Sequence, residues 1–262
     1  MLFRSGNWGL ARDFALKPEL VAPGTNIYTA TQKLDPNSDT YNATGYTTVN
    51  GTSYAVPFAA GVAAMALAKN PNLKQPGRLK SAVVNTATPD LQGDVHVTDA
   101  GAGKLNAADA VNVAATLEPA AISFGPFATA QPVKLTITNV SSAPATFSMA
   151  VRPLSSDSNA RVTLSQSSIT LVAGASKDVT ISLTGSRPAP GAYEGFIDVT
   201  GSGPALHLPY FYVVGDGIPD DIFPIMHGGF VAPPNDVQWL IAFRVVDRYG
   251  VPVANAPAFL ST

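Results

Sequence analysis

The fold of the first part of the chain is decided by Asn50-Gly51-Thr52-Ser53-Tyr54-Ala55-Val56-Pro57-Phe58-Ala59-Ala60-Gly61-Val62. A small turn, Gly51-Thr52, leads into an almost wholly apolar run that reaches Ala68. A run without a polar face predicts a buried central helix, and Lys69-Asn70-Pro71 predicts its end. The run also contains a proline and is too short to span a membrane.

Ser53 lies where this helix is expected to begin. A helix N-terminus has unpaired N–H groups and a partial positive charge, so it stabilises a negative charge that develops beside it. A serine at this place can attack a carbonyl carbon while its own N–H holds the oxyanion. The alternative is that Ser53 is an ordinary helix cap, which is the commoner role of a serine after such a turn.

The flanking residues favour the chemical role. Gly51 to Gly61 resembles the nucleophile segment of the subtilisin-like serine proteases, written G-T-S-M-A-x-P-H-V-A-G, and departs from it at Tyr54, Phe58 and Ala59. Three further segments resemble that family and occur in its order: residues 17–24, 79–87 and 101–111. Residues 1–116 are therefore interpreted as the C-terminal part of a subtilisin-like α/β peptidase domain built on a parallel sheet.

The resemblance implies a serine endopeptidase, a hydrolase that cleaves protein or peptide substrates through an acyl-enzyme. Ser53 would be the nucleophile, with its backbone N–H in the oxyanion hole and with Gly51 and Thr52 as the supporting turn. The family needs no cofactor for this chemistry, and its members imply an extracellular or cell-envelope location.

The other catalytic groups of that family precede the serine in sequence. These are the histidine that takes the serine proton, the aspartate that orients it and the asparagine of the oxyanion hole. Residues 1–52 contain no histidine. We therefore expect this chain to be a fragment that is inactive by itself and whose partner is the missing N-terminal part of its own catalytic domain. Without the first strands of the parallel sheet, the helix after Ser53 would expose an apolar face.

The three histidines of the chain all follow Ser53. His96 lies in a polar stretch and is expected to be a solvated loop residue. His207 alternates with Leu206 and Leu208, so it is expected to face solvent from a strand. His227 lies in a region rich in Gly and Pro and carries no functional prediction.

Composition excludes several classes of function. The net charge is −2 and 13% of residues are charged, so no basic surface is available for nucleic acid. The chain has no cysteine, which excludes disulfides and thiolate chemistry, and no metal-binding pattern is visible. Met1 to Trp8 lacks the features of a signal peptide, and no stretch is long enough to span a membrane.

Residues 117–214 have a different pattern from the helical part. About seven short alternating strands, separated by Ser, Gly and Asn turns, predict an antiparallel β-sandwich. By position and pattern the segment resembles the fibronectin-III-like domain that follows the catalytic domain in many large subtilases. We expect it to pack against the protease domain or to space it from the envelope.

Residues 215–262 are predicted to be a Pro/Gly-rich linker followed by the start of an Ig-like β module. Asp216, Asp220 and Asp221 do not have the spacing of a calcium loop, so they are interpreted as solvated linker residues. A strand is predicted over 237–246, followed by a turn and return over 247–253. The phrase D-x-x-G-x-P-V there resembles the opening hairpin of bacterial Ig-like repeats, and the module is too short to close.

Two functions remain open from the sequence. One is a serine endopeptidase that acts through Ser53. The other is a non-catalytic surface or interaction protein with a degenerate protease half and Ig-like modules, which Tyr54 and Phe58 favour because they replace residues next to the nucleophile.

Overall fold

The computed structural model describes residues 14–89, 95–232 and 236–256, with the backbone alone for 223–232 and 236–242. The described residues form four α-helices, a two-stranded sheet, a nine-stranded sandwich and a C-terminal hairpin. The helices are α1 (Thr52–Lys69), α2 (Pro76–Val84), α3 (Val97–Ala100) and α4 (Ala107–Val111). The strands are β1 (Ile27–Ala30), β2 (Tyr46–Val49), β3 (Ala115–Glu118), β4 (Ile122–Pro126), β5 (Val133–Asn139), β6 (Ala145–Pro153), β7 (Ala160–Leu164), β8 (Ser168–Leu171), β9 (Ser176–Gly185), β10 (Gly191–Thr200), β11 (Leu206–Val214), β12 (Asp221–Ala232) and β13 (Asp236–Val246).

Helix α1 begins and ends where the sequence predicts. Its last backbone bond runs from the N–H of Asn70 to the carbonyl of Ala66, at 2.9 Å. The Asn70 side-chain oxygen then accepts the N–H of Asn72 at 3.0 Å, and its amide donates to the carbonyl of Val140 at 3.1 Å. The end of α1 is therefore tied to the sandwich.

The prediction that α1 is buried on all sides is wrong for the described chain. Helices α2 and α4 pack against one side of it, and the residues of α1 that become buried are Val62 and Ala66. The side chains of Val56, Phe58 and Met65 are 64%, 44% and 51% exposed. No described element covers this second apolar side, which is the exposure expected of the helix without further strands.

The expected parallel sheet is represented in the described residues by a single parallel bridge between Val21 and Lys104. Ahead of residue 115, the described strands are the antiparallel pair β1 and β2, which leads directly into the turn before α1. The exposed face of this pair carries two stacked rings, Tyr28 and Tyr46, with centroids 5.6 Å apart.

The sandwich contains nine strands in two sheets, more than the seven expected. One sheet has the order β4-β11-β10-β6-β8 and the other the order β3-β5-β9-β7. The pairing within both sheets is antiparallel, except that β4 runs parallel to β11. The sandwich begins with β3 at Ala115, ahead of the expected boundary at residue 117.

Residues from both sheets form one hydrophobic core. Its fully buried members include Leu117, Leu135, Ile137, Phe147, Ile181, Ile197 and Leu208. Ala66, Leu73 and Ala82, from the helical part, belong to the same cluster. The helical part and the sandwich are therefore joined by a continuous core.

The five-stranded sheet is buried on both faces where β10 and β11 run side by side. Phe196, Phe211 and Val213 point away from the sandwich core and pack with Leu16 and Val97 of the helical part. A strand that is covered on both faces has a nearly continuous apolar sequence, and this explains the apolar sequence of Leu206–Val214. We call this side of β10 and β11 the outer face.

The C-terminal segment contains more structure than the predicted linker. The strand expected at 237–246 is confirmed as β13, but Asp221–Ala232, expected to be linker, forms β12 and pairs with it. Pro224 lies at a break in the register, a place where a strand tolerates proline. The predicted turn and return is also confirmed, since Val246 pairs with Pro252.

Candidate active site

The turn before α1 is held by close backbone contact with the Lys17–Gly24 segment. The N–H of Gly51 donates to the carbonyl of Gly24 at 2.8 Å, and the N–H of Asn26 donates to the side-chain oxygen of Asn50 at 2.7 Å. A Cβ on Gly24 would lie 2.8 Å from the carbonyl oxygen of Gly51, so only glycine permits this approach. The first two segments of the family resemblance are thus in direct contact.

Ser53 is the second residue of α1 and is exposed. Its hydroxyl makes no hydrogen bond to any residue in the described ranges. No side chain caps this helix terminus, and its first turn contains no acidic residue. The first turn of α1 itself therefore supplies no carboxylate to compensate the positive end of the helix dipole, which can stabilise a negative charge.

The two unusual neighbours of the serine differ in their surroundings. The ring of Tyr54 lies over the turn, 3.5 Å from the position that a Cβ on Gly51 would occupy. Phe58, one turn further along α1, is on the exposed side of the helix. Tyr54 is therefore the one that borders the candidate site.

The Lys17–Gly24 segment is fixed on its other side by strand-like pairing and by charge. The N–H of Val21 donates to Gly103, and its carbonyl accepts from Leu105. Glu19 lies 3.0 Å from the ammonium of Lys17 and 2.5 Å from that of Lys80 on α2. Partial burial would raise the pKa of Glu19, but hydrogen bonds and charge from the two lysines outweigh it and lower the pKa. All four resembling segments are thus packed together.

His96 is the residue before α3, and its contact differs from the expectation of a solvated loop residue. Its side chain is 64% exposed, yet its Nδ1 lies 2.6 Å from Oε1 of Glu194, a buried residue of β10. The pair therefore bridges the helical part and the sandwich.

The prediction that His207 faces solvent is wrong. Its side chain is 20% exposed, and its Nδ1 lies 2.7 Å from Oδ1 of Asp198. The guanidinium of Arg152 donates two hydrogen bonds to the same carboxylate, from Nε at 2.6 Å and from Nη2 at 3.2 Å. The alternation that predicted exposure is real, but the second face of the strand is covered by the helical part. The side chain of His227 lies outside the described residues.

Arg152, Asp198 and His207 line a cleft of about 470 Å³ between the sandwich and the helical part. Its other walls are Thr86 to Pro89 and Asp109. Burial would raise the pKa of Asp198, but hydrogen bonds and charge from His207 and Arg152 lower it to about 2. The carboxylate thus holds a proton on Nδ1 of His207, the orientation that a catalytic histidine uses.

This histidine has no serine partner among the described residues. The hydroxyl of Thr86, on the wall of the cleft, is committed to the carbonyl of Ala82 at 2.6 Å. Ser53 and the two described histidines therefore form no triad, and Asp198 and His207 are a hydrogen-bonded pair within the described residues. In the described part of the chain, no cluster of His, Cys, Asp and Glu is arranged to hold a metal ion.

Sequence reasoning missed Glu194, Asp198 and Arg152. A signal was available, since Glu194 and Asp198 fall on the same face of one strand and both interrupt an apolar pattern. Their partners lie far away in sequence, and no local spacing identifies them.

Comparison with known proteins assigns the first part of the chain. The subtilase family model matches residues 3–108. The minor extracellular protease Vpr of Bacillus subtilis (strain 168) is 32% identical over 115 residues, which cover 43% of this chain and 14% of that protein. Subtilisin-like protease SBT1.2 of Arabidopsis thaliana is 35% identical over 115 residues, which cover 39% of this chain and 15% of that protein.

The chain spans between 9% and 15% of the length of the first curated relatives it matches. Among solved structures, the ASH / PapD-like domain of human CEP192 superposes with a TM-score of 0.32 at 15% identity, covering 39% of this chain and 86% of that one. That overlap is too small to assign the fold of the sandwich. The match of the family model to residues 3–108 and the similarity to curated subtilisin-like proteases support the assignment of this part of the chain to the subtilase family.

Proposed function

We propose that this chain is part of a serine-type endopeptidase in which Ser53 is the nucleophile. The observation that carries the proposal is the position of Ser53: exposed, in the first turn of α1, beside a turn that Gly24 holds in place. The match of residues 3–108 to the subtilase family model supports the same chemistry at the family level.

In this reaction Oγ of Ser53 attacks the carbonyl carbon of a peptide bond and passes its proton to a base. The carbonyl π pair moves onto oxygen, where the N–H of Ser53 and the dipole of α1 stabilise it. Collapse of this intermediate expels the amine, which takes up the proton from the base. Water then cleaves the acyl-enzyme by the same route in reverse and restores the hydroxyl of Ser53.

The base, the aspartate that orients it and a second oxyanion donor belong, in this proposal, to a preceding part of the catalytic domain. The exposed side of α1 supports this, since Val56 and Met65 on an apolar helix form the kind of surface that another layer of the domain covers.

We also propose identities for the two later parts of the chain. The sandwich, which ends at residue 214, is a fibronectin-III-like domain, and the residues after it are the start of an Ig-like module.

The proposed location is extracellular or in the cell envelope. It rests on the name of the Bacillus relative, which describes an extracellular protease. Within the described residues, no helix has both the length and the apolar character needed to cross a membrane.

Labelling by a fluorophosphonate probe tests the proposal. Two proteins are compared, the 262-residue chain and the same chain extended by its upstream coding sequence, each with a Ser53→Ala control. We expect labelling that depends on Ser53 in the extended protein and almost none in the chain alone. Labelling of the short chain at the rate of an active protease would contradict the proposed absence of a base.

The second candidate is a non-catalytic interaction protein, and the packing of the Tyr54 ring over the Gly51 turn favours it. An extended protein that folds, contains the histidine and aspartate of the family and still shows no Ser53-dependent labelling would support this candidate. Tyr54→Met in that protein then measures the effect of the ring on the site.

A further inference from the structure

Glu194 is a buried carboxylate that the proposed chemistry does not use. It lies on the outer face of β10 and is 4% exposed. Its Oε1 is 2.6 Å from Nδ1 of His96, and its Oε2 accepts the N–H of Val97 at 3.0 Å. Its own N–H donates to Oγ of Ser155 at 2.8 Å. One side chain of the sandwich thus holds the start of a segment that belongs to the subtilase part.

That segment, residues 95–105, runs from Glu194 to the Lys17–Gly24 segment. The N–H of Ala102 donates to the carbonyl of Glu19 at 2.9 Å. Val21 is held on both sides, because its N–H donates to Gly103 at 2.9 Å and its carbonyl accepts from Leu105 at 2.8 Å. Each of these contacts is a backbone hydrogen bond, so residues 95–105 and the Lys17–Gly24 segment can move apart only if these bonds break.

Gly101 makes this approach possible. Its φ is 58°, and a Cβ there would collide with the backbone of Pro18 and Glu19. The Lys17–Gly24 segment ends at Gly24, whose carbonyl accepts the N–H of Gly51 two residues before Ser53. Hydrogen bonds, together with the short backbone segments between them, therefore connect the carboxylate of Glu194 to the turn that carries the serine.

We propose that Glu194 is a positioning residue for the subtilase site, through which the sandwich fixes the Ser53 turn. The effect of Glu194 on catalysis rests on the proposed function, but the structural link between Glu194 and the Ser53 turn does not. Loss of the carboxylate charge weakens both of its contacts, with Nδ1 of His96 and with the N–H of Val97. The Ser53 turn is therefore expected to loosen when Glu194 is replaced by glutamine.

Hydrogen–deuterium exchange of the full 262-residue chain tests the proposal. Exchange of peptides covering residues 95–105 and 50–55 is measured in the wild type and in Glu194→Gln under the same conditions. We expect Glu194→Gln to exchange about tenfold faster than the wild type in both regions, because a neutral amide binds its partners more weakly than a carboxylate does. A side chain that only filled space would not produce this change, since glutamine has nearly the same size as glutamate.

Two further variants complete the experiment. His96→Gln changes an exposed side chain, so it folds even if Glu194→Gln does not, and it should also speed exchange in both regions. Asp178→Asn removes an exposed carboxylate on the other sheet and should leave both regions unchanged. The proposal is overturned if Glu194→Gln loosens residues 95–105 but not 50–55, or if it keeps the wild-type exchange in both regions. Neither result depends on whether Ser53 reacts with a fluorophosphonate.

Discussion

Asn85 and His207 join the helical part to the sandwich by a pair of reciprocal hydrogen bonds. The side-chain amide of Asn85 donates to the carbonyl of His207 at 3.1 Å, and the N–H of His207 returns a bond to the carbonyl of Asn85 at 2.7 Å. The same amide donates to Ala120 at 2.8 Å, and the side-chain oxygen accepts from Ser81 at 2.8 Å. Asn85 and Ser81 are both fully buried.

Replacement of Asn85 by alanine should strongly destabilise the whole chain. The change removes the side-chain donor to the buried carbonyls of Ala120 and His207 and the acceptor of the Ser81 hydroxyl hydrogen, and each lost bond in a buried place costs free energy. We expect a loss of about 2–4 kcal/mol in the free energy of unfolding, measured by urea denaturation. Asn37→Ala, in an exposed loop, should change it by less than about 0.5 kcal/mol. An equal effect of both changes would contradict the role of Asn85.

The pair Arg152 and Asp198 predicts how stability depends on pH. Asp198 has a folded pKa of about 2, below its ordinary value of 3.8, so its contribution is fully present above that ordinary value. The contribution is lost as the pH falls through the folded pKa. We expect Asp198→Asn to lose up to about 2 kcal/mol near neutrality and to show a shallower decline between about pH 5 and about pH 2.

Urea denaturation over a pH series measures this decline. Asp39→Asn alters an exposed loop carboxylate and serves as the matched control. It should keep the wild-type pH profile. A profile of Asp198→Asn that runs parallel to the wild type would show that Asp198 is not the titrating group.

Replacement by alanine of two glycines, one on each side of Ser53 in the sequence, should change the stability of the chain in opposite directions. A Cβ on Gly24 would lie 2.8 Å from the carbonyl oxygen of Gly51 and 3.3 Å from Cβ of Ala55, so the Ser53 turn must shift. We expect Gly24→Ala to destabilise the chain by about 1–3 kcal/mol. Gly61, within α1, has nothing within 4 Å of its added Cβ, and Gly61→Ala should stabilise the helix by up to about 1 kcal/mol.

Thermal denaturation of both variants distinguishes the two effects. A fall in Tm for Gly61→Ala would mean that the space beside α1 is occupied in solution. No change for Gly24→Ala would mean that the turn does not need the close backbone contact.

Local pattern was enough to predict the elements near Ser53. The apolar run fixed the extent of α1, and Lys69-Asn70-Pro71 marked its end, because caps and helix breakers act on their own neighbours. Alternation located most of the sandwich strands for the same reason. It failed for Asp221–Ala232, where Pro224 and two glycines hide a strand that pairing with β13 stabilises.

The contacts between the two parts could not be predicted from sequence. His207 was expected to face solvent because alternation tells which residues share a face of a strand but not what covers that face. Leu16 and Val97, which cover it, lie far from β11 in sequence. The pairing of His96 with Glu194 has the same cause, since each residue looks ordinary until the chain brings them together.

The exposed side of α1 predicts that the isolated chain associates with itself. Met65 is 51% exposed and Val56 is 64% exposed on an apolar helix, and a surface of this kind attracts other apolar surfaces. Met65→Lys should leave the free energy of unfolding within about 0.5 kcal/mol of the wild type, because it changes an exposed position. It should also lower both the sedimentation coefficient at high protein concentration and the binding of a hydrophobic dye. Ala66→Lys is the matched contrast, since it places a charge one residue further along at a fully buried position and should unfold the chain. If Met65→Lys associates as strongly as the wild type, another surface drives the association. The exposed side of α1 would then no longer support the proposal that the rest of a catalytic domain covers it.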